Sequence, residues 1–173
     1  VVFRGSEGTL RPMKTEGLRG GPIRVGYFAS ILVDWDETAA LLARVRERLG
    51  PTAFLVRLHP NKTIRHPSAE GHLRRIGVEV SDGDRAILED AQRCDLVLAG
   101  NSSCHLSVLK FGVPTLYMRG LDSEPYDLYK FIELGIIPEA SLDSLDLVQV
   151  AAFYEEPDWA RRFARFDASY PDK

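Results

Sequence analysis

Cysteine is scarce in this chain. Cys94 and Cys104 are the only two in 173 residues, and they do not form a CxxC pair. That density excludes a disulfide scaffold and fits a reduced, cytoplasmic setting with buried thiols. No run of about 18 apolar residues occurs, so no membrane span is expected. The N-terminal stretch also lacks the apolar core of a signal peptide. A dominant charge is missing as well. The 22 Lys plus Arg stand against 25 Asp plus Glu for a formal net charge of -3, which excludes a general nucleic-acid binder held by charge alone. The phosphate-binding pattern GxxxxGKS/T, the dinucleotide pattern GxGxxG and the nucleophile elbow GxSxG are all absent. An ordinary ATPase, an NAD domain and a serine hydrolase are thereby set aside, and no cofactor is expected. His66, His72 and His105 have no companion acids or cysteines at metal-ligand spacing, so no metal is expected either.

What is present is enough apolar material for one sizeable core, at 45% hydrophobic and 27% charged residues with a mean hydropathy of -0.15. The chain opens on Val1 rather than Met, which reads as a piece of something longer. Residues 1–22 hold Gly5, Gly8, Gly17, Gly20 and Gly21 with Arg4, Arg11, Lys14 and Arg19 and no hydrophobic period, the mark of a linker or N-terminal arm. Residues 23–173 form the domain proper.

A strand is expected over Ile23–Ala29 and a helix over Asp36–Leu49, with Leu41, Val45 and Leu49 at four-residue spacing and Gly50-Pro51 ending it. Strands follow at Thr52–Leu58, near Val78–Val80, at Asp95–Ala99 and at Pro114–Met118. Helices are expected near Ala69–Arg75, Asp84–Gln92 and Ser102–Phe111, the last with Cys104, Val108 and Phe111 on one stripe. Three more helices are expected near Tyr126–Leu134, Leu142–Phe153 and Asp158–Phe166. Strand and helix alternate from residue 23 to residue 118, the pattern of βαβ units. The fold class is therefore α/β, a Rossmann-like parallel sheet with helices on both faces.

In such a sheet the ligand lies beyond the carboxyl ends of the strands. Three of those ends are polar: Arg57-Leu58-His59-Pro60-Asn61-Lys62, Gly100-Asn101-Ser102-Ser103, and Arg119-Gly120-Leu121-Asp122. Gly100 permits a sharp turn, Asn101 or Ser102 can cap the following helix, and the serine hydroxyls with freed backbone N–H groups can hold a phosphate. Pro60 forces His59 into an extended conformation at its strand end. Between Arg57 and Arg75 lie Lys62, Arg65 and Arg74 besides three histidines, against the single acid Glu70, a basic seat for a diphosphate or a sugar acid.

The succession of Arg57-Leu58-His59-Pro60, Cys94 through Ser103, and Leu109 through Tyr117 resembles the C-terminal donor-binding domain of GT-B glycosyltransferases. It is most similar to bacterial surface-polysaccharide enzymes, among them sialyltransferases, Kdo transferases and glycerophosphotransferases of the teichoic-acid type, which share an HP motif and a paired-serine motif. The layout also resembles UDP-N-acetylglucosamine 2-epimerases. The resemblance spans residues 23–138 and implies half of a GT-B fold. It also implies a CMP-, CDP- or UDP-linked sugar donor, a saccharide acceptor, a partner N-terminal domain carrying the general base, and a cytoplasmic setting that can include the inner membrane face. On this reading His59, Ser102 and Ser103 hold phosphate, Asn101 caps the helix, and Arg57, Lys62 and Arg119 supply positive charge. One departure stands out: many relatives carry a ribose-gripping Glu one turn into the helix, where this chain reads His105-Leu106-Ser107-Val108. Ribose would then fall to His105, Ser107 or a residue after Arg119, or nucleotide binding has been lost. Two rivals remain, a nucleotide-sugar epimerase whose acidic signature is not found, and a non-catalytic Rossmann-like binding module.

Overall fold

The structure is a computed structural model that describes residues 10–31, 33–50, 52–61, 69–81, 85–123 and 126–168. Six strands form one sheet: β1 (Arg24–Phe28), β2 (Ala53–Arg57), β3 (Glu79–Ser81), β4 (Leu96–Ala99), β5 (Thr115–Met118) and β6 (Glu139–Ala140). Every pairing is parallel, and the spatial order is β3-β2-β1-β4-β5-β6. That order is the doubly wound, Rossmann-type arrangement, and the fold is α/β as the alternation implies.

The two-residue period of the strands sorts their side chains onto two faces. Val25, Tyr27, Phe54, Val56, Leu96 and Leu98 enter the larger apolar cluster with Leu42 and Val45 of α1 (Trp35–Leu49) and Leu73 of α2 (Ala69–Arg75). Phe28, Leu55 and Val97 point the other way, onto Ala91 of α3 (Ile87–Ala91) and Val108 of α4 (Cys104–Lys110). The helices α5 (Leu147–Glu155) and α6 (Trp159–Ala168) join the larger cluster through Val150, Tyr154, Trp159 and Phe163. A strand walled on both faces must be apolar throughout, and all four residues of β4 are buried.

Helix α1 starts where Asp34 accepts hydrogen bonds from the Asp36 and Glu37 amides, and it stops at Gly50, whose φ is 75°. Its inward face is Trp35, Thr38, Ala39, Leu42 and Val45; of the expected stripe Val45 is fully buried, while Leu41 and Leu49 are half-buried at its edge and still pack against the larger cluster. The helix expected near Tyr126–Leu134 does not form. Those residues are turns, because the Asp127 carboxylate accepts from the Ile132 amide at 2.6 Å and Lys130 takes a positive φ of 59°, a local side-chain bond that competes with a helical ladder. Helix α5 begins at Leu147 rather than Leu142. Asp146 caps it, while the Ser141 and Ser144 hydroxyls close a turn just before. Helix α4 is also shorter than expected, at seven residues, and β6 pairs with β5 where no strand was expected.

The described part of the N-terminal arm lies against the domain. The Arg11 and Lys14 amides donate to the Lys110 and Gly112 carbonyls, and Leu18 is 2% exposed. Thr15 and Arg19 both bind the Glu155 carboxylate of α5. At Gly112, φ is 73° and a Cβ would strike the Pro12 carbonyl, so that contact requires glycine.

Gly26, within β1, leaves no room for a side chain. A Cβ there would lie 2.8 Å from Cys94 Sγ and 3.0 Å from the Phe28 ring. Gly26→Ala should therefore overpack the smaller cluster and lower stability by about 1–3 kcal/mol. Urea unfolding would read this as a reduced midpoint, and an unchanged midpoint would show that the layer yields.

Candidate functional site

The chain leaves β1 toward β2 on one side, while β4 opens the other half of the sheet. The crevice therefore falls at the carboxyl ends of β1 and β4, and a cavity of about 180 Å³ occupies that place. Phe28 and Ala29 supply one wall, and Arg57 through Pro60, at the end of β2, the next. Ser102, Ser103 and Ser107, from the loop after β4 and the first turns of α4, complete it, with Ile87 and Cys104 as apolar filling.

Arg57 and His59 from one segment and Ser102 and Ser103 from another, more than forty residues on, thus line one cavity. The Asn61 amide donates to His59 Nδ1 at 3.1 Å, which in a neutral ring places the proton on Nε2. Ser102 Oγ accepts from the Cys104 amide at 3.3 Å, one residue ahead of Ser103, the N-cap of α4, whose own side chain makes no capping bond. At seven residues α4 has only a small dipole, and the hydroxyls and the imidazole are the stronger polar groups here. Arg57 is buried and bound: Nη1 donates to Asp90 Oδ2 at 2.6 Å and Nη2 to the Arg85 carbonyl at 2.7 Å. Burial pushes the Cys104 thiol up to about 11, so at neutral pH it is a protonated wall group and no nucleophile.

Other residues singled out in the sequence sit elsewhere. Asn101 does not cap α4. Its Nδ2 donates to Tyr117 Oη at 3.0 Å and the Tyr126 carbonyl at 2.8 Å, and its Oδ1 accepts from the Leu128 amide at 2.9 Å. The Asp122 carboxylate accepts from the Asn101 backbone amide, and a Cβ on Gly100 would collide with that carboxylate, so Gly100 answers to a close approach rather than to a sharp turn. Arg119 faces a second cavity, of about 310 Å³, at the ends of β5 and β6. There it forms a two-pronged pair with Glu139, at 2.7 and 2.8 Å, beside Tyr117, Asp122 and Asp127. Lys62 lies outside the described residues. Sequence reasoning missed Asp90, Ile87 and Glu139, whose partners are remote in the chain. Ser107 entered it only as an alternative for ribose.

His105 is fully buried, with Nε2 at 3.1 Å from the Gly100 carbonyl and its ring edge-on to Phe131. Its Nδ1 has no hydrogen-bond partner among the described residues. Desolvation pushes the imidazole down to about 4, against the opposing pull of the Gly100 carbonyl and Asp127.

No protein-family model and no curated protein matches the chain. Among solved structures it is similar to a glycotransferase of kitacinnamycin, at 16% identity and a TM-score of 0.46, covering 98% of this chain and 43% of that one. It is similar to the glycosyltransferase VinC in complex with DTDP, at 15% identity and 0.43, covering 90% and 39%. It is similar also to the glycosyltransferase SnogD from Streptomyces nogalater, at 16% and 0.49, covering 95% and 43%. The chain spans less than half the length of each of these proteins.

His105 gives a direct test of its neutral state. With the folded pKa near 4 and the ordinary value at 6.5, protonation favours the unfolded chain. Stability should be full above about pH 6.5 and fall by about 3 kcal/mol as the pH drops toward 4. His105→Gln keeps a donor for Gly100 but cannot titrate, so its urea stability should decline less over this window. Parallel profiles for the two proteins would refute the assignment.

Proposed function

We propose that this domain is the donor-binding half of a GT-B glycosyltransferase acting in surface-polysaccharide synthesis, with a CMP-, CDP- or UDP-linked sugar as ligand. One observation carries the reading: His59 and the paired serines Ser102 and Ser103 meet in a single cavity at the point where the winding of the sheet reverses. The His59 Nε2–H and the serine hydroxyls are donors of the kind that hold phosphate oxygens, and they can stabilise the charge that develops on a departing nucleotide phosphate.

The second cavity supports the same reading. Asp122, Asp127 and Glu139 offer carboxylate acceptors beside Tyr117 and Arg119, a chemistry suited to the hydroxyls of a sugar or ribose. Since His105 is buried, ribose would fall to Ser107 on the first cavity or to the carboxylates of the second. The general base belongs to a separate N-terminal domain, so this chain alone should bind a donor without turning it over. Its setting on this reading is the cytoplasm, alone or against the inner membrane face; no helix among the described residues is long and apolar enough to cross a membrane.

Calorimetric titration with CMP, CDP, UDP, GDP and dTDP tests the proposal, and saturable binding of one of them is expected. His59→Ala should then weaken that ligand roughly ten- to a hundredfold, the worth of about 1.5–3 kcal/mol for a hydrogen bond to a charged group. Joint replacement of Ser102 and Ser103 by Ala should act similarly, with retained folding checked by circular dichroism because Asn101 is not available to cap α4. If none of the nucleotides binds, the donor-site reading fails and a non-catalytic module takes its place.

A further inference from the structure

Arg57 carries a full charge in the cavity wall, and the residues behind it cancel that charge. Asp90, on α3, is wholly buried, and its Oδ2 accepts from Arg57 Nη1 at 2.6 Å and from Ser81 Oγ at 2.5 Å. The Arg85 carbonyl takes Nη2, so the guanidinium is held from the approach to α3 and from α3 itself, while Ser81 at the end of β3 braces Asp90. Among the described residues Arg93 also approaches Asp90, its Nη1 3.8 Å from Asp90 Oδ1, and Arg93 is itself paired with Glu79. In this described group Arg57 and Arg93 are matched by Asp90 and Glu79.

Charge of this kind matters to the phosphate chemistry. A phosphate esterified on both sides carries one negative charge, whereas a terminal phosphate carries between one and two near neutral pH. An uncompensated arginine would favour the more highly charged group, through a Coulomb term that grows with each added charge. With its charge matched by Asp90, Arg57 can still offer oriented N–H donors, but it gives the terminal group no extra attraction.

We infer that Asp90 is a specificity-determining residue: by neutralising Arg57 behind the cavity wall, it sets the site to favour a phosphodiester such as an esterified diphosphate over a terminal phosphate. Asp90 touches no ligand and acts through Arg57. The inference rests on the anion-binding reading of this cavity and names the charge state of the ligand it takes.

The test compares two probes on the intact chain, inorganic pyrophosphate and its P1,P2-dimethyl diester, by calorimetry at fixed ionic strength. Asp90→Asn keeps an acceptor for Arg57 and Ser81 but removes the negative charge. It should tighten pyrophosphate on the order of tenfold and the diester only about threefold, so that the affinity ratio moves about threefold toward pyrophosphate. A change that was only structural would move both probes together, so an unmoved ratio overturns the inference. The double variant Arg57→Gln with Asp90→Asn replaces an ion pair by a neutral pair and keeps the fold testable should the single change unfold the chain. Its ratio should stay within about twofold of the unmodified protein; a shift of threefold or more toward the diester would show that Arg57 acts as a free cation, and would overturn the inference as well. If the unmodified chain binds neither probe, the anion site itself fails, an outcome distinct from binding with an unmoved ratio.

Discussion

β1 and β4 lie side by side at the centre of the sheet with helices on both faces, and this sets the terms for everything around them. Their backbone N–H and C=O groups have no water to turn to, so the ladder pairing Val25 with Leu96 and Tyr27 with Leu98 is obligatory. Apolar side chains then fill both faces, which is why β4 is buried over its whole length. Because β1 runs on to β2 while β4 runs on to β5, the loops at their carboxyl ends part company and leave a crevice. The Ala29 amide, just past β1, still donates to the Arg57 carbonyl and draws the end of β2 toward that crevice. This register brings His59 to the cavity.

Close to the crevice the structure divides one short motif into two kinds of work. Gly100 and Asn101 build the frame: the first makes room for Asp122, and the second ties the loop after β4 to Tyr117, Tyr126 and Leu128. Ser102 and Ser103, the next two residues, line the cavity. An asparagine with this many buried bonds is costly to leave unsatisfied, so it fixes the segment at 126–128 with respect to β4. Four adjacent residues thus separate into scaffold and cavity wall within one turn of chain.

How much of this was legible in the sequence follows the range of the interactions concerned. The central strands announce themselves because burial on both faces demands continuous apolar residues, as in Leu96 through Ala99. The carboxyl-end rule points to His59, Ser102 and Ser103, and the structure brings all three to one cavity. What could not be read is what depends on a distant partner. Arg57 presents itself as a free cation until Asp90 is seen against it, and Arg119 does so until Glu139 closes on it across the β5–β6 edge. The segment at 126–134 carries helix-forming residues, yet the Asp127 carboxylate bonded to the Ile132 amide gives the backbone another solution. Such a bond is local, but its choice over a helix depends on the anchoring of Leu128 by Asn101.

The basic segment between Arg57 and Arg75 shows why counting charges misleads in a domain of this kind. A run of cations in the sequence is an electrostatic site only if the fold leaves their charge uncompensated, and here the first of them is matched by a carboxylate inside the protein. What faces the cavity from the described residues is mainly the neutral hydroxyl donors of Ser102, Ser103 and Ser107, beside the ring of His59. Neutral donors act over short distances and at defined angles, while bare charge acts at long range and is screened by salt. A cavity built from them discriminates by the placement of oxygen atoms, and that kind of recognition can survive in a chain whose net charge is -3.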